Sequence, residues 1–235
     1  LPIMSSQSEA DDEPTELPYD IDEVMAAKRD NPGMFVSAWE ADENDIDSWS
    51  KSQIKADPLK RFIVAAEKGE LNTINEMAIR SKKQVPDSPH PTLEELLSAT
   101  DRDGYTALHR AAYGGHLLVL KRLIQLGANL NSRTEDGWTP LHSAAFWNQL
   151  ACVQTLVYAG ADPQALTNSN QTPMHLAVSN NQGPETLIFL MSLPQTSIQK
   201  VRNKVGDAVE DLILRNTPYF ELCHPFSQCA TQLSR

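Results

Sequence analysis

The chain has 235 residues and a formal net charge of −11, nearly all of it at one end: residues 1–56 carry 14 acidic and 4 basic residues, and residues 57–235 carry 17 and 16. Binding of nucleic acid depends largely on Lys and Arg that neutralise phosphates, and this composition provides no basic stripe for direct binding. A membrane is not expected as a partner either, because the apolar runs are shorter than the roughly 18 residues of a membrane span.

Residues 1–56 have the composition of a disordered acidic tail. Within it, residues 34–49 contain aromatic side chains between acidic ones. This pattern is typical of an activation-like or docking segment, and it is equally typical of a solvated tail. The first residues lack the basic and apolar regions of a signal peptide. An odd, sparse set of cysteines (Cys152, Cys223 and Cys229) does not form a disulfide framework, so a reducing compartment is expected.

Residues 57–100 predict a first, N-terminal capping repeat. Its Ala65-Ala66 pair and Gly69 recur 46 residues later in the chain, as Ala111-Ala112 and Gly115. Residues 81–91 are a proline-rich insertion, and Thr92-Leu-Glu-Glu95 then matches a capping box that starts a short helix.

A period of 33 residues follows, visible as DGYTALHRAAYGGH, DGWTPLHSAAFWN and SNQTPMHLAVSNN. It predicts units at 101–133, 134–166 and 167–200, each with two short helices, and a degenerate C-terminal capping repeat and tail at 201–235. Thr106, Thr139 and Thr172 are placed to cap the first helix of each unit. Helix ends are predicted at residues suited to a left-handed backbone: Gly115, Asn148 and Asn181, and for the second helices Gly127 and Gly160. Pro194 predicts an irregular end to the third unit.

Two antiparallel helices and a turn repeated every 33 residues resemble the ankyrin repeat, and GYTALHRAAYGGHLLVLKRLIQLGANLN matches its consensus along nearly the whole length. The resemblance implies an all-α ankyrin-repeat solenoid with β-turn fingers, and a monomeric, non-enzymatic scaffold or adaptor that binds protein partners. A narrower resemblance, to ankyrin proteins with an acidic tail and about four repeats, implies a nuclear and/or cytosolic regulator of gene expression.

Variable positions beside the fixed motif line a concave face in ankyrin stacks, and binding energy at interfaces concentrates in aromatic and Arg side chains. Core packing is the competing explanation for any single aromatic. Another hypothesis is that the acidic tail is the effector and that the repeats only position it. The predicted partner-binding residues are Tyr105, Arg110, Tyr113, Trp138, Phe146, Trp147, Arg102 and Glu135.

The regularly spaced histidines, His109, His142 and His175, are not expected to share a metal. Equivalent positions on stacked helices lie about 8–10 Å apart, whereas two donors to one zinc ion lie within about 4 Å. We expect a structural ring that bonds the capping threonine and the neighbouring turn, with no catalytic residue, metal or cofactor. The alternative is a hydrolase-type enzyme using His142 or Cys223, which requires a pocket of converging titratable groups. The ankyrin resemblance also makes Asn131 a candidate for hydroxylation.

Overall fold

The computed structural model describes residues 49–82, 90–180, 183–196 and 198–218. The predicted tail up to residue 48 and most of the proline-rich insertion, residues 83–89, lie outside these ranges. In the part described, the secondary structure is eleven α-helices with two isolated β-bridges. They are α1 Lys51–Ala56, α2 Pro58–Glu67, α3 Leu71–Lys82, α4 Leu93–Ser98, α5 Ala107–Tyr113, α6 Leu117–Gln125, α7 Pro140–Phe146, α8 Leu150–Tyr158, α9 Pro173–Ser179, α10 Glu185–Ser192 and α11 Val209–Asn216.

The helices form two stacked rows, which confirms the predicted all-α repeat fold. The inner helices α2, α5, α7, α9 and α11 pack against one another in chain order. The outer helices α3, α6, α8 and α10 form the second row, each beside its own inner helix. One continuous apolar core runs between the rows, because the small alanine pairs of the inner helices allow close approach. The fully buried leucines of the outer helices fill the remaining space: Leu120, Leu123, Leu156 and Leu190.

The inner helices begin where the sequence predicts. Thr106, Thr139 and Thr172 are the N-cap residues of α5, α7 and α9. Proline occupies the first position of α7 and α9, where a missing N–H costs no helical hydrogen bond. The capping box predicted before α4 is present, with Glu95 N donating to Thr92 Oγ1 at 3.1 Å and Thr92 N donating to Glu95 Oε2 at 2.7 Å.

The predicted helix ends are confirmed wherever they are described. Gly115 and Asn148 adopt left-handed φ values of 70° and 52°, which lets the chain reverse within a few residues. Asn181 lies outside the described residues. At the end of the third unit, α10 stops at Ser192 and Leu193 is extended, so the chain does not form the left-handed closure seen in the units before it.

A tight turn, called a finger below, precedes each inner helix from α5 onward. The backbone N–H of Asp101, Thr134, Thr167 and Asn203 donates to the carbonyl four residues ahead. Neighbouring fingers are joined by single bonds, such as Glu135 N–H to the Asp103 carbonyl at 3.0 Å. Asn203 follows Thr167 by 36 residues instead of 33 and still opens a complete finger, although the repeat pattern there is blurred. The last unit is therefore offset by three residues and keeps the hydrogen bonding of the others.

The N-terminal boundary requires a correction. Residues 51–56 belong to the predicted tail, but they form helix α1, capped by Ser50. Trp49 and Ile54 pack on Ile63 and Val64 of α2, and the Lys60 ammonium lies 5.0 Å from the centre of the Trp49 ring. A helix of six residues is not stable on its own in water. α1 therefore forms because it packs on α2, and a local sequence pattern does not show that contact.

Candidate partner-binding surface

The fingers and the inner helices together form one surface, called the inner face below. The position before each capping residue is occupied by Tyr105, Trp138, Gln171 and Asp207, and the turn of helix after the alanine pair carries Tyr113 on α5 and Phe146 on α7. This surface contains all eight predicted partner-binding residues. The structure distinguishes those that a partner could reach from those that the fold has already enclosed.

Arg110 is enclosed and is not a surface contact. Only 6% of it is exposed, and its Nε and Nη2 donate to Asp101 Oδ2 at 2.9 and 2.6 Å. Glu67 Oε1 lies 3.7 Å from Nη1, and the Tyr105 ring centre lies 4.7 Å from the guanidinium carbon. The prediction that Arg110 binds a partner is corrected by this geometry, because every side of the guanidinium faces a group of its own chain.

Trp138 and Phe146 are also more buried than predicted, at 6% and 8% exposure. Their rings lie 5.4 Å apart and pack with Leu176 from the next unit, separate from the main core. The expectation of two exposed aromatics is therefore wrong, and core packing, its competing explanation, holds for this pair. Trp138 and Phe146 therefore support the exposed residues of the inner face.

Tyr113 and Trp147 form the accessible aromatic part of the inner face, called the aromatic edge below. Their rings meet edge to face with centroids 4.9 Å apart, and Trp147 meets Phe146 in the same way at 5.3 Å. Tyr113 is 36% exposed and Trp147 is half-buried. An aromatic ring held by its neighbours loses little conformational entropy on binding, which is the property of an interface anchor.

The fingers add polar and charged groups around Tyr105. Arg102 and Glu135 are exposed, as a contact surface requires. Asp103 and Asp136 also lie in these fingers, although a single acid in a turn carries no recognisable signal in the sequence. Tyr105 is half-buried, and its pKa is raised mainly by burial, with Arg110 lowering it and the carboxylates of Asp136, Asp101 and Asp103 raising it. The acids of two adjacent fingers thus act on one phenol.

His109 and His142 have the predicted structural role, and His175 shares their bond to the capping threonine. Each is fully buried, and each Nδ1 pairs with its capping threonine hydroxyl at 2.7 to 2.9 Å. Nε2 of His109 and of His142 contacts the carbonyl of the next finger, at Trp138 and at Gln171. Burial lowers the pKa of both His109 and His142 to about 4. These rings therefore connect neighbouring units as neutral groups.

No feature of the described residues favours the enzyme alternative. His142 has no exposed surface, and no cluster of three metal-ligating side chains occurs in these ranges. Cys223 lies outside the described residues. Within the same ranges, no helix has the length and apolar character to cross a bilayer. Asn131 is exposed and donates its N–H to Asn129 Oδ1 at 3.0 Å, and its hydroxylation stays a prediction.

Comparison with known proteins finds similarity within the repeats. A family model described as ankyrin repeats (3 copies) matches residues 62–167. The chain is similar to ankyrin repeat domain-containing protein 49 from Bos taurus (34% identity over 98 residues), Homo sapiens (32% over 98) and Drosophila melanogaster (33% over 97). These matches cover 40 to 41% of this chain but only 36% of the bovine and human proteins and 39% of the fly protein. The likeness therefore concerns the repeats and not the full length of these relatives.

Proposed function

We propose that this chain, whose residues 62–167 match ankyrin repeats, is a scaffold or adaptor that binds a protein partner through the inner face of the units at 101–133 and 134–166. Ankyrin repeats are generally protein-interaction modules, and stacked repeats present extended binding surfaces. The observation that carries the proposal is the aromatic edge: Tyr113 and Trp147 are accessible, adjacent and fixed by the buried Phe146 and Trp138 behind them. The protein acts in this proposal as a monomer, without a cofactor and without catalysis.

Replacing Tyr113 and Trp147 together with alanine is expected to lower partner binding at least about tenfold, because central aromatic anchors dominate interface energies. Affinity capture of the full chain with quantitative mass spectrometry would identify partners whose recovery depends on the pair. Tyr158→Ala is the matched control, since Tyr158 is 79% exposed on the outer helix α8. Circular dichroism would verify that each variant remains folded. Equal recovery from the wild type and the double variant would contradict the proposed surface.

We further propose that the protein regulates gene expression and acts in the nucleus and/or the cytosol. It is supported by the acidic-hydrophobic composition of residues 34–49, which is of the kind found in activation-like segments. In this version the tail is the effector and the repeats position it on a partner.

Deletion of residues 1–48 separates the two roles. The cut ends before Trp49 because Trp49 and α1 pack on α2, so a longer deletion would expose Ile63 and Val64. Partner binding is expected to stay within about twofold of wild type, since surface segments away from the interface contribute little. A reporter of transcription, with the chain tethered to a promoter, is expected to lose its response. An unchanged reporter signal would remove the tail from the proposal.

A further inference from the structure

The histidine of the third unit lacks one hydrogen bond that its two equivalents form. Nε2 of His109 lies 3.0 Å from the Trp138 carbonyl, and Nε2 of His142 lies 3.1 Å from the Gln171 carbonyl. Each of these carbonyls belongs to the finger of the next unit. His175 is as fully buried as the other two, but its Nε2 has no hydrogen-bond partner among the described residues. The third unit is therefore not joined to the last one by its histidine.

The unpaired atom of His175 is a donor. Nδ1 accepts the backbone N–H of Thr172 at 3.2 Å, so the proton of the neutral ring lies on Nε2. An N–H group that is buried without an acceptor has given up its bonds to water without replacing them, and this disfavours the packing that encloses it. His175 therefore supports its own helix, as the other two histidines do, but not the contact with the next unit.

The last finger is displaced relative to His175. The Asn203 N–H donates to the Asp207 carbonyl, which makes this carbonyl the equivalent of those that the other two histidines contact. It lies 32 residues after the histidine, whereas the other two lie 29 residues after theirs. Burial lowers the pKa of His175, and the nearby carbonyls of Asp207 and Val201 raise it without forming a hydrogen bond. The three extra residues before the last finger thus leave its carbonyl close to the ring but unbonded.

Few charges act on His175. α9 has no other titratable residue, and α7, which packs against it, has only the neutral His142. From the last unit, the Asp207 carboxylate raises the pKa of His175, and this carboxylate is itself paired with Arg215 at 2.8 Å. Asp211 instead accepts a backbone N–H at the start of α11. Burial therefore remains the main reason why the closed structure disfavours a proton on this ring.

The last unit keeps other contacts with the stack. Val209 and Ile213 of α11 are fully buried in the continuous apolar core. The Lys204 N–H donates to the Ser169 carbonyl at 3.0 Å, which is the finger-to-finger bond of the other units. Apolar packing and a backbone bond thus hold the last unit in place, without the bond that a histidine adds in the units before it.

The other end of the stack is fixed by side-chain hydrogen bonds. Nε2 of His116 lies 2.7 Å from the Glu67 carbonyl of the first unit. Arg122 Nε on α6 donates to Asn75 Oδ1 on α3 at 2.7 Å. General fraying of both ends would not distinguish the first unit from the last. These bonds predict instead that the last unit opens more readily than the first.

We propose that the last unit, residues 203–216, opens from the stack as one body before the other units unfold, and that acid promotes this opening through His175. Opening brings the ring into water, where its pKa is about 6.5. Protons then bind to the open state at a pH where the closed state excludes them. The closed state is therefore fully favoured above about pH 6.5 and is weakened as the pH falls.

This opening is local. His109 and His142 stay enclosed by the fingers of intact units, so they do not take up protons when the last unit opens. The opening is also independent of the aromatic edge, which lies in earlier units. The last unit is thus an acid-sensitive cover over the apolar core of the third unit.

Hydrogen exchange of the full native chain, followed by mass spectrometry of its peptides, measures this opening. The protection factor is the intrinsic exchange rate at each pH divided by the observed rate. At pH 7, peptides from α11 are expected to be protected at least about tenfold less than peptides from α2. At pH 5 the protection of α11 is expected to fall by a further factor of about 5 to 25. The upper value applies to a ring that titrates near pH 6.5 when open and stays neutral when closed.

His175→Asn removes the imidazole and keeps an oxygen that can accept the Thr172 N–H. In this variant the fall in α11 protection between pH 7 and pH 5 is expected to shrink below about twofold. His142→Asn makes the same change one unit earlier, and there the fall is expected to persist. Circular dichroism would verify that both variants are folded.

Equal protection of α11 and α2 in the wild type at pH 7 would overturn the proposal. A fall in α11 protection that His175→Asn leaves unchanged, or that His142→Asn abolishes, would overturn the role of His175 and the proposal with it. Where a variant does not fold, the wild-type protection factors at pH 7 and pH 5 decide.

Discussion

Replacing Arg110 with methionine is expected to lower the free energy of unfolding by about 3–5 kcal/mol, the loss typical of breaking a buried ion pair from one side. The Asp101 side chain is 1% exposed, and it would lose both hydrogen bonds that it accepts from Arg110. Methionine has a similar length and keeps the packing against Tyr105, so the loss comes from the uncompensated carboxylate. Urea unfolding followed by circular dichroism would measure it.

Two further variants identify the cause. Arg215→Met breaks the exposed pair between Arg215 and Asp207, and a much smaller loss of stability than in Arg110→Met is expected because solvent screens such pairs. Adding Asp101→Asn to Arg110→Met is expected to restore at least half of the loss, since an amide oxygen can still accept the N–H groups of Asp103 and Tyr105. An Arg110→Met protein as stable as the wild type would show that water reaches the Asp101 carboxylate.

Acidification from pH 7 to pH 5 is expected to destabilise the fold by about 2 kcal/mol for each of His109 and His142. Burial lowers both pKa values to about 4, below the value of about 6.5 in an unfolded chain. The folded state therefore stays neutral in this range while the unfolded state takes up protons. The stabilisation is complete above pH 6.5, decreases as the pH falls, and is lost once the pH is below 4.

Urea unfolding at pH 7, 6 and 5 measures this dependence before most carboxylates titrate. His142→Asn provides the comparison: its stability is expected to be lower at pH 7, but its loss on going to pH 5 is expected to be smaller by about 2 kcal/mol, the share of His142, because the buried rings of His109 and His175 remain. Since small domains have only about 5–15 kcal/mol of stability in total, the wild-type effect is large. Equal stability at pH 7 and pH 5 would contradict the assignment of neutral, buried rings.

The aromatic edge and the enclosed residues behind it look alike in the sequence. Tyr113 and Phe146 occupy equivalent positions 33 residues apart, yet one is exposed and the other is buried. The difference arises because Phe146 packs with Trp138 of its own unit and with Leu176 of the next, whereas Tyr113 meets the edge of the Trp147 ring and stays partly exposed. A repeat pattern shows which positions vary; it does not show what each variable side chain contacts.

The sequence by itself determined the repeat: its period, its capped helix starts, its left-handed helix ends and the structural histidines of its inner helices. These depend on steric and hydrogen-bonding needs of short segments, which recur wherever the same residues recur. Only the tertiary structure decided that Arg110 is enclosed, that Trp49 and α1 belong to the fold and that Asn203 opens a shifted last unit. Each depends on contacts beyond the local pattern, such as that of Arg110 with Glu67, 43 residues away, and a periodic pattern does not contain that information.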